Sequence, residues 1–248
     1  SNGVPTSTAN VIIATASFYP EITTTAAAYS LTVDSGTSLT VVSGGNLTVT
    51  DVIDNDGTIT VESDANLKQD NNVTNTGAGS TVVERTTSTL MRQDYVLWSS
   101  PVSGQQLQAF SPATLSTRFY EYDSSGDIYT AVTPTVDFDL AKGYLIRLPN
   151  NHPATPTAWT GVFTGGHAHN GDVPLNGLTI GDYYAIGNPY PSAISADDFI
   201  NDNSVAEALY FWRKTNNAAN SSYATYTTAG GTSNSGGGSS LLPDGVIQ

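Results

Sequence analysis

Two histidines separated by one residue are the first feature of the chain that could do chemistry. His167 and His169 flank Ala168, and alternate residues of a β-strand point to the same face, so the pair could ligate a metal ion. Asp172 lies close enough in the sequence to add an oxygen ligand. However, Gly-Gly precedes the pair and Asn-Gly follows it, which favours a loop tip with two solvated imidazoles over a metal site.

Acidic turns are a second candidate for metal binding. Asp54 and Asp56 belong to an Asp-Asn-Asp-Gly run whose carboxylates could bind calcium, although the spacing of an EF-hand loop is absent. The turn chemistry of Asp-Gly explains the run equally well. The same two interpretations apply to the acidic turns at 123–127 and 197–198. Calcium therefore stays open as a cofactor, and the sequence indicates no other.

The motifs of catalysis are missing from the sequence. There is no Gly-x-Ser-x-Gly elbow, and the chain has no Cys to serve as a thiolate nucleophile. Asp137 and Asp139 flank Phe138, and a pair of carboxylates is the minimal requirement for glycoside hydrolysis. Such a pair on one strand face is more often solvated. We therefore predict a protein that is not an enzyme.

Aromatic residues could instead bind sugar rings by stacking. The chain contains three Trp and 13 Tyr. Trp98 and Trp212 lie in strand-like patterns and are expected in the core, where aromatic side chains bury the most area. Trp159 follows a segment of Pro and Thr, and we predict that it forms an exposed ligand-binding platform on a loop.

The composition sets the fold class and excludes some partners. The 248 residues include 8 Lys and Arg against 22 Asp and Glu, so the formal net charge is −14, and Thr, Ser and Asn make up about a third of the chain. Thr and aromatic residues suit strands, whereas Asn, Gly and Ser suit turns, so we predict an all-β protein. The few basic residues are scattered, which argues against nucleic-acid binding. No apolar run is long enough for a membrane-spanning helix, and Ser1-Asn2-Gly3 does not begin a signal peptide.

A short repeat in the first third predicts how the strands are arranged. Leu-Thr-Val recurs every eight residues, at 31–33, 39–41 and 47–49, and Ile-Thr-Val follows at 59–61, with turn residues between the units. Because one such strand cannot bury its apolar face alone, we predict a β-solenoid of stacked eight-residue coils over residues 1–80. A meander of hairpins is the alternative, since Gly-Gly and Asp-Gly are also hairpin turns.

Longer aromatic strands predict a β-sandwich or jelly-roll-like domain over residues 81–248. Tyr-Val-Leu-Trp-Ser-Ser-Pro at 95–101 matches Tyr-Tyr-Ala-Ile-Gly-Asn-Pro at 183–189. We therefore expect a duplication with halves of about 81–170 and 171–248.

Two further matches follow the same order along the chain. The aromatic strand at 118–122 corresponds to 208–212, and the strand at 142–146, with Gly at its second position, has a weaker counterpart at 244–247. If the last strand is an unpaired edge, it could mediate self-association. The Asn- and Gly-rich stretches at 216–220 and 230–240 are expected to be loops.

These segments resemble those of a known group of proteins. The Leu-Thr-Val-x-x-Gly units, Trp98-Ser99-Ser100-Pro101-Val102, Gly-Asn-Pro-Tyr-Pro-Ser at 187–192 and Leu-Tyr-Phe-Trp at 209–212 resemble modules of large secreted surface proteins of gliding and other Bacteroidota bacteria. The resemblance implies an adhesin-like module of a longer protein, exported by the type IX secretion system through a sorting domain that this sequence does not contain. It supplies no catalytic residues.

The sequence thus predicts a non-enzymatic, extracellular structural or adhesion module of a secreted or cell-surface protein. Its expected partners are a surface protein or glycan and the secretion machinery. The alternative is a carbohydrate-binding module of a secreted enzyme that degrades polysaccharides. The stacked repeat would form a stiff spacer, and loops of the second domain would form the contact surface.

Overall fold

A β-solenoid begins the fold, and antiparallel sheets make up the rest of it. The computed structural model describes residues 4–203, 206–212, 223–233 and 245–248, and nearly all of its regular structure is β. The predictions of an all-β fold and of an N-terminal solenoid are confirmed, whereas the alternative of a hairpin meander is wrong, because the strands of this segment pair in parallel.

Each coil of the solenoid contributes one strand to each of three sides. The strands are, coil by coil, β1 Asn10–Ile13, β2 Glu21–Ile22 and β3 Thr25–Ala28; β4 Ser30–Val33, β5 Ser38–Val41 and β6 Asn46–Val49; β7 Ile53–Asn55, β8 Thr58–Val61 and β9 Asn66–Gln69. A fourth turn begins with a parallel bridge between Asp54 and Thr76 and continues into β10 Ser80–Thr86. The three parallel sheets are therefore β1-β4-β7, β2-β5-β8-β10 and β3-β6-β9.

The eight-residue repeat is one side of a coil, which corrects the expectation of eight-residue coils. Leu31, Leu39 and Leu47 lie in β4, β5 and β6, on three different sides of the same turn. Stacked partners are much further apart in the sequence: Leu39 pairs with Ile59 and Leu47 with Leu67. An eight-residue unit provides only one strand and one corner, so the chain needs three units to return to the same side.

The repeating Leu, Ile and Val residues fill the interior of the solenoid. Val33, Val41 and Val61 are fully buried, and the Thr residues between the apolar positions are only partly buried. Asn55 replaces an apolar residue at the position that pairs with Val33. Its buried amide donates to the Ser80 carbonyl at 3.1 Å and its side-chain oxygen accepts from the backbone N–H of Gly57, so the polar group is satisfied inside the core.

Antiparallel sheets and two short helices follow the solenoid. The elements are β11 Tyr95–Trp98, α1 Leu107–Phe110, β12 Phe119–Asp123, β13 Ile128–Ala131, β14 Tyr144–Arg147, β15 Thr160–Gly165, β16 Ile194–Ser195, α2 Ala196–Asp202, β17 Leu209–Trp212, β18 Tyr223–Thr227, β19 Gly230–Thr232 and β20 Val246–Ile247. Their sheets are β11-β14-β12-β13, β17-β18-β19 and β16-β20, while β15 joins β10.

The two expected halves share some elements and differ in others. A short helix followed by an aromatic hairpin occurs in each, as α1 with β12–β13 and as α2 with β17–β18. In contrast, the counterpart of β11 is no strand, since only Ile186 pairs there, in a bridge to Lys142. The last strand is paired with β16 rather than left open. Duplication and the halves 81–170 and 171–248 stay predictions, and the loop predicted at 216–220 lies outside the described residues. The loop predicted at 230–240 is wrong at its start, because Gly230–Thr232 forms β19 by pairing with β18, and residues 234–240 lie outside the described part of the chain.

The second region closes the C-terminal end of all three solenoid sheets. β15 pairs antiparallel with β10 and so continues one sheet. At the end of the β1-β4-β7 sheet, next to the bridge between Asp54 and Thr76, the Nε2 atom of His167 lies 3.1 Å from the Gly77 carbonyl oxygen. At the end of the β3-β6-β9 sheet, the backbone N–H of Leu67 donates to the Pro191 carbonyl at 2.9 Å, and the N–H of Ala193 donates to the Asn66 side chain. Because each open sheet end finds partners, the second region acts as a cap.

One hydrophobic core runs through the solenoid and the cap. The inward face of β8 continues into β10 and β15, where Val83 pairs with Phe163, and both are fully buried. Phe110 of α1 stacks on Phe163 with ring centroids 4.2 Å apart, and Trp98 of β11 meets Phe110 edge to face. The predicted core position of Trp98 is confirmed.

Gly161 makes the close approach of this aromatic cluster to β15 feasible. A Cβ atom built there would lie 2.6 Å from Cζ of Phe110. We expect Gly161→Ala to lower the free energy of unfolding by about 1–3 kcal/mol, because overpacking displaces a ring in a dense core. Urea unfolding measures the effect. Gly166→Ala is the matched control, since its Cβ would meet only Ser103 Oγ, at 3.5 Å. Equal stability of the two variants would contradict the packing described.

Candidate functional site

The His167-Ala168-His169 segment is part of the joint between the solenoid and the cap. Ala168 forms an antiparallel bridge with Val102 and is almost completely buried. Both histidines are partly buried, so the expectation of two solvated imidazoles on a loop tip is wrong. The reason is that the backbone pairs with 101–103 and draws the side chains against the neighbouring segments. Among the described residues, no group of three or more His, Asp or Glu could hold a metal ion.

His169 is held in an environment that disfavours its charged form. Burial lowers the pKa of its imidazole below the usual 6.5, while the nearby backbone of Pro189 and Ser100 opposes this shift. Its Nδ1 atom is buried and has no hydrogen-bond partner in the described part of the chain. A buried imidazole of this kind is a structural group whose protonation costs stability.

The lowered pKa of His169 predicts how stability depends on pH. The unfolded chain takes up a proton more readily than the folded chain, so stability is complete above pH 6.5 and falls as the pH drops below that value. We expect His169→Gln to flatten this fall between pH 7 and about pH 5. Chemical unfolding of both proteins across this range measures it. Identical slopes for the two proteins would show that His169 does not contribute.

Asp54 and Asp56 bind the next coil of the solenoid. The Asp54 carboxylate accepts a hydrogen bond from Thr76 Oγ1 at 2.6 Å, and the Asp56 carboxylate accepts from the backbone N–H of Ala78 at 2.8 Å. Both acids thus fasten the third coil to the fourth turn. Calcium binding at this pair stays a prediction.

The other acidic turns also have structural partners. Asp123 accepts hydrogen bonds from the backbone N–H groups of Ser125 and Gly126 and from the Ser125 hydroxyl. The Ser125 hydroxyl and these N–H groups lower the pKa of the Asp123 carboxyl. Asp197 lies in the first turn of α2 and accepts from the hydroxyl of Tyr226. In both places the carboxylate stabilises a turn or a helix end.

Lys142 is the centre of the strongest charge cluster among the described residues. Its Nζ atom lies 2.6 Å from Glu121 and 3.2 Å from Asp139, and Tyr144 donates a hydrogen bond to Asp139 at 2.9 Å. Burial opposes the charged form, but the hydrogen bonds with Glu121 and Asp139 outweigh it and raise the pKa of Lys142. Asp139 is thus engaged with a cation. This arrangement links β12 to the start of β14, the two central strands of the four-stranded sheet.

Trp159 packs against the aromatic cluster of the core. Its ring meets those of Trp98 and Phe110 edge to face, with centroids 5.6 Å away in each case. The residue is half-buried, and its backbone N–H donates to Thr87. Only part of the indole can therefore reach a ligand. Ligand binding by Trp159 stays a prediction.

A second set of aromatic residues lies on the opposite face of the four-stranded sheet, which we call the outer face. Tyr122 and Tyr129 are cross-strand partners there, and their rings meet edge to face at 5.2 Å. Trp212 contacts Tyr129 at 6.0 Å and Tyr223 at 5.5 Å, so the hairpin β17–β18 packs on this face. The predicted core position of Trp212 is wrong, since this half-buried ring lies on the outer face.

The outer face also presents rings to solvent. Tyr183 and Tyr210 are 55% and 47% exposed and contact each other at 5.6 Å. Together with Tyr122, Tyr129, Trp212 and Tyr223 they form what we call the aromatic surface. The hydroxyls of Tyr129 and Tyr223 lie within hydrogen-bond distance, 3.2 Å apart. Burial is the main cause that raises the pKa of Tyr129, and this hydrogen bond raises it further. Sequence reasoning missed this surface because its members are far apart along the chain.

The comparisons with known proteins give a family without a function. The model of a family described as a domain of unknown function, DUF8693, matches residues 1–242, and the chain belongs to this family. No curated protein and no solved structure matches the chain. Neither described helix is long and apolar enough to cross a lipid bilayer.

Proposed function

We propose that the protein is a non-enzymatic structural and adhesion module of a secreted bacterial surface protein. The observation that carries the proposal is the joint between the solenoid and its cap. Each of the three solenoid sheets is hydrogen-bonded to the second region, and one hydrophobic core extends through the solenoid and the cap. Such a joint transmits force without a hinge, which is what a spacer carrying a binding domain requires.

The engagement of the titratable side chains supports a structural role. His167 contacts the Gly77 carbonyl, and the buried His152 contacts that of Leu90 through Nε2 at 3.0 Å. Asp139 is paired with Lys142. These groups are engaged in hydrogen bonds and an ion pair within the fold, as structural side chains are.

The extracellular location and the route of secretion rest on the resemblance to Bacteroidota surface proteins. The chain contains no Cys, so it has no thiol that an oxidising extracellular environment could oxidise. We include in this proposal export by the type IX system and a surface protein or glycan as partner. Self-association through β20, a two-residue strand that pairs with β16, also stays a proposal.

Surface labelling of producing cells tests this proposal. We expect antibodies against the chain to label intact cells, and we expect external protease to remove the label without lysis. Beads coated with the chain should adhere to a surface that carries the partner, and soluble chain should compete. Labelling that requires permeabilised cells would contradict the extracellular role.

A carbohydrate-binding module is the second candidate, and the aromatic surface favours it. Stacking on an aromatic ring buries the apolar face of a sugar while its hydroxyls stay solvated. Tyr183 and Tyr210 offer such rings, whereas Trp159 is partly covered by the core.

Substitutions on a glycan array identify the ring that binds. We expect Tyr210→Ala to weaken saturable glycan binding by about tenfold, in keeping with loss of one aromatic contact. Tyr29→Ala is the matched control, because Tyr29 is 42% exposed on the solenoid and Tyr210 is 47% exposed. Loss of binding with Trp159→Ala alone would assign the site to Trp159 instead.

A further inference from the structure

Two arginines meet at one end of the outer face. Tyr95 and Arg147 are direct cross-strand partners in β11 and β14, and the backbone N–H of Arg147 donates to the Arg118 carbonyl at 3.2 Å. Ile146 and Phe119 point into the core, so their neighbours Arg147 and Arg118 point away from it. The two guanidinium groups therefore lie on the same side of the sheet.

These side chains line an open cleft. Gln93, Tyr95, Arg118 and Arg147 surround a volume of about 300 Å³, which is at the lower end of the range for small-molecule sites and suits one sugar unit. Tyr95 also meets Tyr120 edge to face at 5.9 Å. The indole N–H of Trp212 donates to the Tyr95 carbonyl at 2.9 Å, so the cleft adjoins the aromatic surface.

The charges in the cleft are not neutralised within the described part of the chain. No ion pair there involves Arg118 or Arg147. Arg118 donates to the Tyr120 hydroxyl and Arg147 to Asn150, while the Nε atom of Arg147 is buried without a hydrogen-bond partner among the described residues. Acidic residues outnumber basic ones 22 to 8, so two neighbouring arginines without a carboxylate are unexpected.

We propose that this cleft binds the carboxylate of an acidic sugar, such as a uronate unit of an extracellular polysaccharide. An oxyanion between the two guanidinium groups relieves their mutual repulsion, and the planar fork of arginine matches the two oxygens of a carboxylate. The Tyr95 ring provides an apolar wall for the pyranose, and the Gln93 amide provides hydrogen bonds to its hydroxyls. This inference adds a ligand class to the adhesion role proposed above and rests on that proposal.

Polygalacturonate in two chemical forms tests the site. We expect the full chain to bind unesterified polygalacturonate in affinity electrophoresis and to bind the fully methyl-esterified polymer much more weakly, because esterification removes the carboxylate. Arg118→Gln should weaken binding by about tenfold, as expected for loss of a charged hydrogen bond. Arg147→Lys keeps the charge but removes the planar fork, and it should also weaken binding.

Matched controls separate the cleft from general charge effects. Lys68→Gln also removes one positive charge, from an exposed residue of the solenoid, and should leave binding unchanged. Circular dichroism confirms that the variants fold. Equal binding of both polymers, equal weakening by Lys68→Gln, or binding of dextran sulfate alone would overturn the carboxylate site. Bead adhesion that persists without polygalacturonate binding would overturn this site and leave the adhesion proposal intact.

Discussion

The open end of a parallel coil is the constraint on which this structure depends. Inward Leu, Ile and Val residues form columns that are completely buried only when another layer covers them, and Val61 and Val83 are both fully buried at the joint. The backbone of the last coil needs partners as well. β15, the 167–170 segment and the 191–193 segment supply them, one for each side of the solenoid. The second region is therefore as necessary to the solenoid as the solenoid is to it.

This arrangement decides which faces are left for binding. The inner face of the four-stranded sheet is committed to the aromatic core, where Trp98 and Phe110 pack against Phe163 of β15. Many of the polar side chains that could do chemistry are used at joints and turns, as His167, Asp54 and Asp123 are. The outer face is covered in part by the hairpin β17–β18, and it presents the exposed rings of the aromatic surface with two arginines at its end. Any ligand of this region is thus expected to meet tyrosine rings and guanidinium groups.

The sequence was sufficient for the solenoid and insufficient for its geometry. A fixed Leu-x-Val phase with Gly and Asp corners predicts stacked short strands, because a strand this short cannot bury its apolar face alone and the spacing is more regular than hairpins require. The eight-residue spacing does not reveal whether one repeat unit forms one side of a coil or a complete coil. Leu31 and Leu39 would show the same sequence pattern if they were stacked in neighbouring coils or placed on adjacent sides of one coil. Their pairing with Ile53 and Ile59 is a long-range property. Local pattern alone does not encode it.

The candidate sites were harder to predict for a related reason. Gly-Gly and Asn-Gly around His167 and His169 indicated a loop tip, but backbone pairing with 101–103 placed both side chains in a joint. Arg118 and Arg147 are well separated in the sequence and meet only because β12 and β14 are neighbours. A contact that depends on strand order leaves no signal in a local motif. Composition could only show that such arginines are rare.

The stacking of equivalent coils also makes the length of the protein adjustable. Each additional coil would lengthen the solenoid along its axis by about 4.8 Å, the spacing of neighbouring strands. Because the hydrogen bonds described for β15, the 167–170 segment and the 191–193 segment are made to the third coil and the fourth turn, turns could be gained or lost at the opposite end without disturbing these bonds. The length of the solenoid can therefore change in steps of one coil while the cap stays the same.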